Sequence, residues 1–94
     1  MELPPEVQIS DFLSLMRSYL AGEIAARDYQ SQYFELMKKR MTITEYEFRI
    51  LQTAYGDADD YDPSVRLEHT IGEPELKRRV QKSIHDLNEL RSSA

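Results

Sequence analysis

The 94-residue sequence has no cysteine, few glycines and no long hydrophobic run. The lack of cysteine excludes disulfide bonds, thiolate zinc sites and cysteine nucleophiles. No stretch approaches the roughly 18 consecutive apolar residues that a membrane helix needs. Residues 1–16 contain no Lys or Arg, so we expect no secretion signal and a protein of the cytoplasm.

A basic excess is also missing. The chain has 17 acidic residues against 12 Lys and Arg, which gives a formal net charge of -5. Nucleic-acid binding relies on clustered Lys and Arg that neutralise phosphates, so this composition argues against it. Hydrophobic residues make up 40% and charged residues 31% of the chain, which is typical of a folded domain. At this length we expect one domain over residues 1–94.

The first two helices follow from apolar periodicity between the breaker residues. The first is predicted to begin near Ile9 or Ser10, after an extended lead-in of about eight or nine residues, with Gly22 as its C-terminal cap. Leu15 lies off its apolar stripe and is expected to be exposed. The second is predicted from about Ala26 to residue 40, where a basic triplet suits the negative end of the helix dipole.

Local start signals mark the other two helices. Thr44 and Glu47 match a capping box for the third helix, and Gly56 weakens its end. Pro74 suits the first position of the fourth helix, which is predicted to reach Leu90 or residue 91 before a frayed tail. The four helices predict an all-α fold, an antiparallel four-helix bundle with a long acidic loop between helices 3 and 4.

The apolar stripes of the four helices define the predicted core. Its members are Phe12, Leu13, Met16, Leu20, Tyr29, Tyr33, Leu36, Met37, Phe48, Leu51, Tyr55, Leu76, Val80, Ile84 and Leu87.

Residues 57–72 are too long for an ordinary connection in a bundle, which takes about 2–8 residues. Val65, Leu67 and Ile71 alternate with polar residues, and this pattern predicts an extended strip along the bundle. Seven acids and a single arginine lie between residues 57 and 75, whereas the rest of the chain is nearly neutral. The acids form either a hydrated loop that pairs with the basic last helix or a functional surface, since clustered charge costs stability.

A calcium site is one interpretation of this acidic segment. Asp57, Asp59 and Glu68 occupy positions 1, 3 and 12 of an EF-hand loop. Tyr61 and Asp62 would then stand at positions 5 and 6, where the loop needs a ligand and a glycine. We therefore expect no metal site.

A catalytic carboxylate pair is a second interpretation. Such chemistry needs two carboxylates held in a cleft, and a small bundle offers little room for one. His69 and His85 have no nucleophile or metal ligand at a diagnostic spacing and are expected on the surface. We expect neither enzymatic activity nor a cofactor.

A recognition surface for a positively charged protein is the third interpretation. Clustered acids accelerate association with a basic partner, and an aromatic residue among them would act as a rigid anchor. Nuclease active sites present Lys, Arg and His to phosphate, so a carboxylate cluster can occupy one in place of phosphate. The candidate contact residues are Asp57, Asp59, Asp60, Tyr61, Asp62 and Glu68.

Three segments carry a family resemblance. They are "FLSLMRSYLAGEIAARDY", "LQTAYGDADDYDPSVR" and "IGEPELKRRVQKSIHDL", and together they span Phe12 to Leu87. Their order resembles that of the colicin D immunity proteins, the bacterial self-protective colicin-like immunity family.

The resemblance implies a function as well as a fold. It implies a non-enzymatic four-helix bundle that binds and blocks a tRNA-cleaving toxin nuclease domain, as a monomer in a 1:1 complex. In that family, acids after the third helix enter the basic catalytic cleft of the toxin. By position this role falls on Asp59 and Asp62. The aspartate-rich loop and the polar first helix depart from the family pattern, so a colicin, another bacteriocin or a contact-dependent inhibition toxin stays open as the partner.

A different class of function is a small helical adaptor or homodimer. Its interface would be an apolar helix face, for instance around Leu15 and Ile50. This alternative predicts self-association that is insensitive to the charges of residues 57–72.

Overall fold

The computed structural model describes residues 6–65 and 68–92. The helices in this part of the chain are α1 (Ile9–Leu20), α2 (Ala26–Met37), α3 (Glu45–Asp60) and α4 (Glu73–Ser92). Each helix packs against the next in chain order, and α4 closes the ring against α1. The predicted all-α four-helix bundle is confirmed. None of the described helices combines the length and apolar character needed to cross a membrane.

Aromatic side chains fill the centre of the bundle. The rings of Tyr19 and Tyr29 stack with their centroids 4.8 Å apart, and the ring of Phe12 meets that of Tyr33 edge-on at 5.3 Å. The Tyr33 hydroxyl donates a hydrogen bond of 2.7 Å to the carbonyl of Leu51. This bond satisfies a buried polar group and joins α2 to α3.

Helix α1 begins at Ile9 as predicted; its C-cap residue is Ala21, and the predicted capping glycine, Gly22, follows directly with φ of 80°. The amides of Gly22 and Glu23 donate to the carbonyls of Tyr19 and Ser18, the pattern of a Schellman motif. The prediction that Leu15 is exposed is wrong, because its side chain is only 8% exposed. Since α1 packs against both α2 and α4, its buried arc is wider than one apolar stripe.

Helix α2 begins at Ala26 as predicted but ends at Met37, three residues before the predicted end. The carbonyl of Arg40 accepts a hydrogen bond of 2.9 Å from the amide of Val7, and Val7 pairs with Met41 in an isolated parallel bridge. This pairing holds the chain after α2 in an extended form. Val7 is buried, so the lead-in packs on the bundle; residues 1–5 of that lead-in lie outside the described residues.

Helix α3 carries the predicted capping box. The Thr44 hydroxyl accepts a bond of 3.1 Å from the Glu47 amide, and the Glu47 carboxylate accepts one of 2.9 Å from the Thr44 amide. The predicted burial of Phe48 and Tyr55 is wrong, because these side chains are 37% and 40% exposed. The face turned inward carries Leu51 and two alanines instead, Ala54 and Ala58. Small side chains let a helix approach its neighbours closely.

The third helix also runs further than predicted. It continues through Gly56 to Asp60, so the first part of the predicted acidic loop is helical. A glycine inside a helix costs about 1 kcal/mol relative to alanine. Ala58 is fully buried beyond that glycine, and its packing offsets the cost. The acids at positions 57, 59 and 60 therefore lie on α3 and not in a loop.

The extended strip predicted from the alternation of Val65, Leu67 and Ile71 is absent from the described residues of this stretch, which leave out residues 66–67. After α3, the described residues form two turns, at 63–64 and 68–69. Tyr61 before them and Ile71 after them are buried against the bundle. Val65 is 50% exposed with φ of 47°, a conformation that is unusual for a β-branched residue. Ile71 is buried, whereas Leu67 lies outside the described residues. The strip fails because Tyr61 pairs directly with Ile71 and closes the segment at its base.

Helix α4 begins at Glu73, one residue before the predicted start, and continues to Ser92. Residues 93–94, where we predict a frayed tail, lie outside the described residues. Of the remaining predicted core residues, four lie half-buried at its margin: Leu20, Leu36, Met37 and Ile84. The others are buried, namely Phe12, Leu13, Met16, Tyr29, Tyr33, Leu51, Leu76, Val80 and Leu87.

Candidate recognition surface

The acidic segment is organised around the C-terminus of α3. Tyr61 follows the helix with φ of -66° and ψ of 125°, so the chain turns from helical to extended at this residue. The amide of Ile71 donates a bond of 2.9 Å to the carbonyl of Asp60, and the amide of Asp62 donates one of 3.0 Å to the carbonyl of Ile71. Two backbone hydrogen bonds thus close the base of the segment just before α4.

The side chain of Tyr61 points into the core. It is 9% exposed and belongs to the same apolar cluster as Ile71. The sequence suggests Tyr61 as an aromatic anchor for a partner, but the structure places most of its ring inside the protein. Asp60 and Asp62, on either side of it, are half-buried at the surface. Tyr61 thus anchors the segment to its own bundle.

Asp62 forms a turn with the residues that follow. Its Oδ1 accepts a hydrogen bond of 2.8 Å from the amide of Ser64, and its carbonyl accepts one of 3.0 Å from the amide of Val65. A side-chain bond of this kind is the usual reason for aspartate before a turn. The turn fixes the backbone on the outer side of the bundle end. Asp59, on the last turn of α3, and Glu68 are both exposed.

Asp57 has a different environment from the other candidate residues. Its Oδ1 lies 3.1 Å from Nη1 of Arg79 on α4, and its side chain is only 14% exposed. Burial raises the pKa of Asp57, and the hydrogen bond from Arg79 partly opposes that rise. The sequence groups Asp57 with the partner-binding acids, but the structure pairs it within the chain.

Glu75 belongs to the same network of ion pairs. Nε of Arg79 donates to Oε1 of Glu75 at 3.0 Å, and Nε of Arg78 donates to Oε2 at 2.9 Å. The hydrogen bonds from these two arginines lower the pKa of Glu75 to about 2. The alternative in which the acids pair with the basic last helix therefore holds for Asp57 and Glu75. The network links the end of α3 to the first turns of α4.

Four other acids of the segment lie at the surface, Asp59 and Glu68 exposed and Asp60 and Asp62 half-buried. We call Asp59, Asp60, Asp62 and Glu68 the acidic end; the first two close α3, and the other two follow it in the chain before α4. Like charges gathered at one place attract a cationic surface and orient it during association. The described residues contain no group of three or more side chains suited to holding a metal ion.

A family model described as bacterial self-protective colicin-like immunity matches residues 7–87. The chain belongs to this family. The match spans most of the four helices and the whole acidic end, and it confirms the resemblance carried by the sequence motifs. No curated protein and no solved structure matches the chain significantly.

Family membership gives the coarse function. Immunity proteins protect the cell that produces a toxin, and they act by binding that toxin and inhibiting it, not by catalysis. Both histidines are exposed as predicted, and Nε2 of His85 lies 4.0 Å from the carboxylate of Glu89 on the same helix.

Sequence reasoning missed one residue that supports the acidic end of this immunity protein. Nε2 of Gln30, on α2, donates a hydrogen bond of 2.7 Å to the carbonyl of Ala58 and lies 3.5 Å from the carbonyl of Tyr61. No local pattern marks Gln30, because its partners are 28 and 31 residues away along the chain. The sequence predicts a basic last helix next to the acidic segment, but it does not single out Arg79.

The alternative apolar interface finds limited support in the immunity protein. Leu15 of α1 is buried, so it cannot be part of the exposed apolar face that this alternative needs. Ile50 is half-buried in a groove that it shares with Tyr46 of α3 and Leu90 of α4. The proposed interface around Leu15 is therefore incorrect.

Proposed function

We propose that this immunity protein inhibits a toxin nuclease by placing its acidic end in the basic active site of that enzyme. The toxin class that fits best is a tRNA-cleaving nuclease of the colicin D kind. The observation that supports the proposal is that Asp59 is exposed on the last turn of α3, with Asp60 and Asp62 half-buried at the surface beside it and a further exposed acid, Glu68, later in the same segment. Asp59 and Asp62 would meet the cationic side chains of the toxin, as the family motif implies.

Electrostatics explains why such a surface suits this task. A nuclease must bind a polyanion, so its active site presents cations at the spacing of phosphates. Carboxylates on a rigid protein surface can occupy the same positions without offering a bond to cleave. Clustered acids also speed the encounter, with association rates up to about 10⁸–10⁹ M⁻¹s⁻¹ at low salt. The expected complex is 1:1, forms in the cytoplasm and contains no nucleic acid.

Capture of the partner tests the function. Tagged immunity protein is purified from its native host, the bound proteins are identified by mass spectrometry, and the eluate is assayed for tRNA cleavage. We expect a stoichiometric basic protein whose tRNase activity emerges only after the complex is denatured and the toxin is refolded alone. Recovery of the bait alone, or of a partner without nuclease activity, contradicts the proposal and favours the adaptor or homodimer.

A charge-removal variant tests the site. Asp59→Asn combined with Asp62→Asn removes two charges, and asparagine keeps the side-chain oxygen that accepts from Ser64. The matched control is Glu35→Gln with Glu45→Gln, which removes the same charge from exposed side chains elsewhere.

Binding of these variants to the captured toxin is measured by surface plasmon resonance at several salt concentrations. If the aspartates pair with desolvated cations, the test variant loses about 3 kcal/mol or more of affinity, roughly a hundredfold. The control loses only part of the association rate through its lower net charge. Equal affinities for the two variants would refute the assignment of Asp59 and Asp62.

A further inference from the structure

We infer that residues 59–62 of the acidic end are already ordered in the free protein, and that Gln30 of α2 is the positioning residue that holds them. The inference rests on the proposed function for its biological meaning, but the order of the free chain can be measured without a partner. Its basis is the set of hydrogen bonds that converge where α3 ends.

The end of α3 has the usual shortage of hydrogen-bond donors, because the last carbonyls of a helix have no partner within it. The carbonyl of Ala58 accepts a hydrogen bond of 2.7 Å from Nε2 of Gln30. It also accepts a longer one, of 3.3 Å, from the amide of Tyr61. Gln30 is half-buried and Ala58 fully buried, so water competes poorly for this bond. The shorter of the two bonds that cap the helix thus comes from another helix.

The side-chain amide of Gln30 also contacts the residue that follows α3. Nε2 of Gln30 lies 3.5 Å from the carbonyl of Tyr61, the residue at which the chain becomes extended. On the other side, Ile71 holds Asp60 and Asp62 through the two backbone bonds already described. The backbone that carries the two aspartates is therefore held by α2 on one side and by Ile71, two residues before α4, on the other.

Order in the free protein matters for binding. A surface that is disordered before binding pays the entropy of ordering when the partner arrives, which weakens the complex. A surface held in place by Gln30 and Ile71 presents its carboxylates at fixed positions from the start. Loss of the Gln30 bond should therefore loosen the acidic end without changing its charge.

Native-state amide hydrogen exchange of the free chain, followed by NMR, tests the inference. The variant is Gln30→Met, which keeps the length of the side chain and removes its hydrogen bonds. Gln32→Met, an exposed position on the same helix, is the matched control. In the unmodified protein we expect the amides of Asp62 and Ile71 to exchange at least about a hundredfold slower than in an unstructured chain.

The expected effect of Gln30→Met is local. Protection at Asp62 and Ile71 should fall by about tenfold, the change that corresponds to one lost hydrogen bond. Protection of the Leu51 amide in the core, and of all three amides in the control, should stay unchanged. Unprotected Asp62 and Ile71 amides in the unmodified protein overturn the inference, and so does equal protection in both variants.

The captured toxin domain separates this inference from the proposed function. Gln30→Met should bind about tenfold more weakly while the salt dependence of its association rate stays the same, because no charge changes. Weaker protection with unchanged affinity overturns the positioning role. A different outcome is the expected hydrogen-exchange pattern together with unchanged toxin affinity of the Asp59→Asn, Asp62→Asn variant. That outcome would refute the proposed function and leave the order of the acidic end established.

Discussion

The ion pair between Arg79 and Asp57 can be used to test which acids of this immunity protein pair within the chain and which remain solvated at its surface. In the structure Arg79 pairs with Asp57, whose side chain is only 14% exposed. We predict that Arg79→Met destabilises the free protein, because methionine keeps most of the packing of the side-chain stem but leaves a largely buried carboxylate without its cation.

The burial of the two side chains sets the size of the effect. Fully exposed ion pairs contribute about 0–1 kcal/mol, whereas loss of one partner of a fully buried pair costs about 3–5 kcal/mol. Arg79 is 34% exposed and Asp57 is 14% exposed, so the pair lies between these limits. We expect a loss of about 1–3 kcal/mol in the free energy of unfolding. For a domain of this size each kcal/mol corresponds to roughly 4–8 °C in Tm.

Urea unfolding followed by circular dichroism measures the loss, and Arg49→Met is the matched control. Arg49 also pairs with an acid on a helix, but this pair is 68% and 75% exposed, so the control should lose no more than about 0.5 kcal/mol. A double-mutant cycle with Asp57→Asn should show coupling between the two positions. If Arg79→Met costs no more than the control, Asp57 is solvated in solution and belongs with the partner-binding acids after all.

The pH dependence of the same variant gives a second check. Burial already raises the pKa of Asp57, and removal of Arg79 takes away the interaction that opposes the rise. A carboxyl group whose folded-state pKa is raised destabilises the fold at high pH, where it must be ionised, and this penalty disappears as the pH falls and the group takes up a proton. The deficit of Arg79→Met should therefore be largest near pH 7 and shrink toward pH 4. A deficit that is independent of pH would mean that lost packing causes it.

Two further predictions concern the core and the acid stability of the fold. Leu15→Ala should lower the free energy of unfolding in urea by about 2–3 kcal/mol, because Leu15 is buried. Tyr46→Ala, at a position 66% exposed, should lower it much less. Similar losses for the two variants would mean that Leu15 is exposed, as its place off the apolar stripe predicts. The pKa of Glu75 is lowered to about 2, so its ion pairs stabilise the fold above the ordinary pKa of 4.5, and this contribution is lost as the pH falls toward 2. Glu75→Gln should flatten the stability profile over that interval, and an unchanged profile contradicts the pairing.

The division of the acids has a consequence for recognition. Asp57 and Glu75 pair with arginines of α4, so under the proposed function the charge that meets the toxin comes from the acidic end. Without this pairing, cations of α4 would lie beside the surface and weaken its attraction for a basic toxin. Under the proposed function, this internal pairing favours toxin binding without contacting the toxin.

Features that depend on a few neighbouring residues could be predicted from the sequence. The start of α1, its Gly22 cap and the Thr44–Glu47 capping box involve contacts within about five residues, so the local pattern contains all the interacting groups. The four-helix fold follows from apolar periodicity, because each stripe must be buried by another helix. The family resemblance, and with it the immunity function, also came from sequence motifs.

Features that depend on distant neighbours were decided by the tertiary structure. Periodicity shows that α3 has an apolar side, but only its packing shows that the alanines face inward while Phe48 and Tyr55 remain partly exposed. Composition shows a cluster of acids. It cannot show that Arg79, 22 residues along the chain, pairs with one of them, or that Tyr61 turns inward. These outcomes depend on which helix faces become neighbours, and that is fixed only when the whole chain folds.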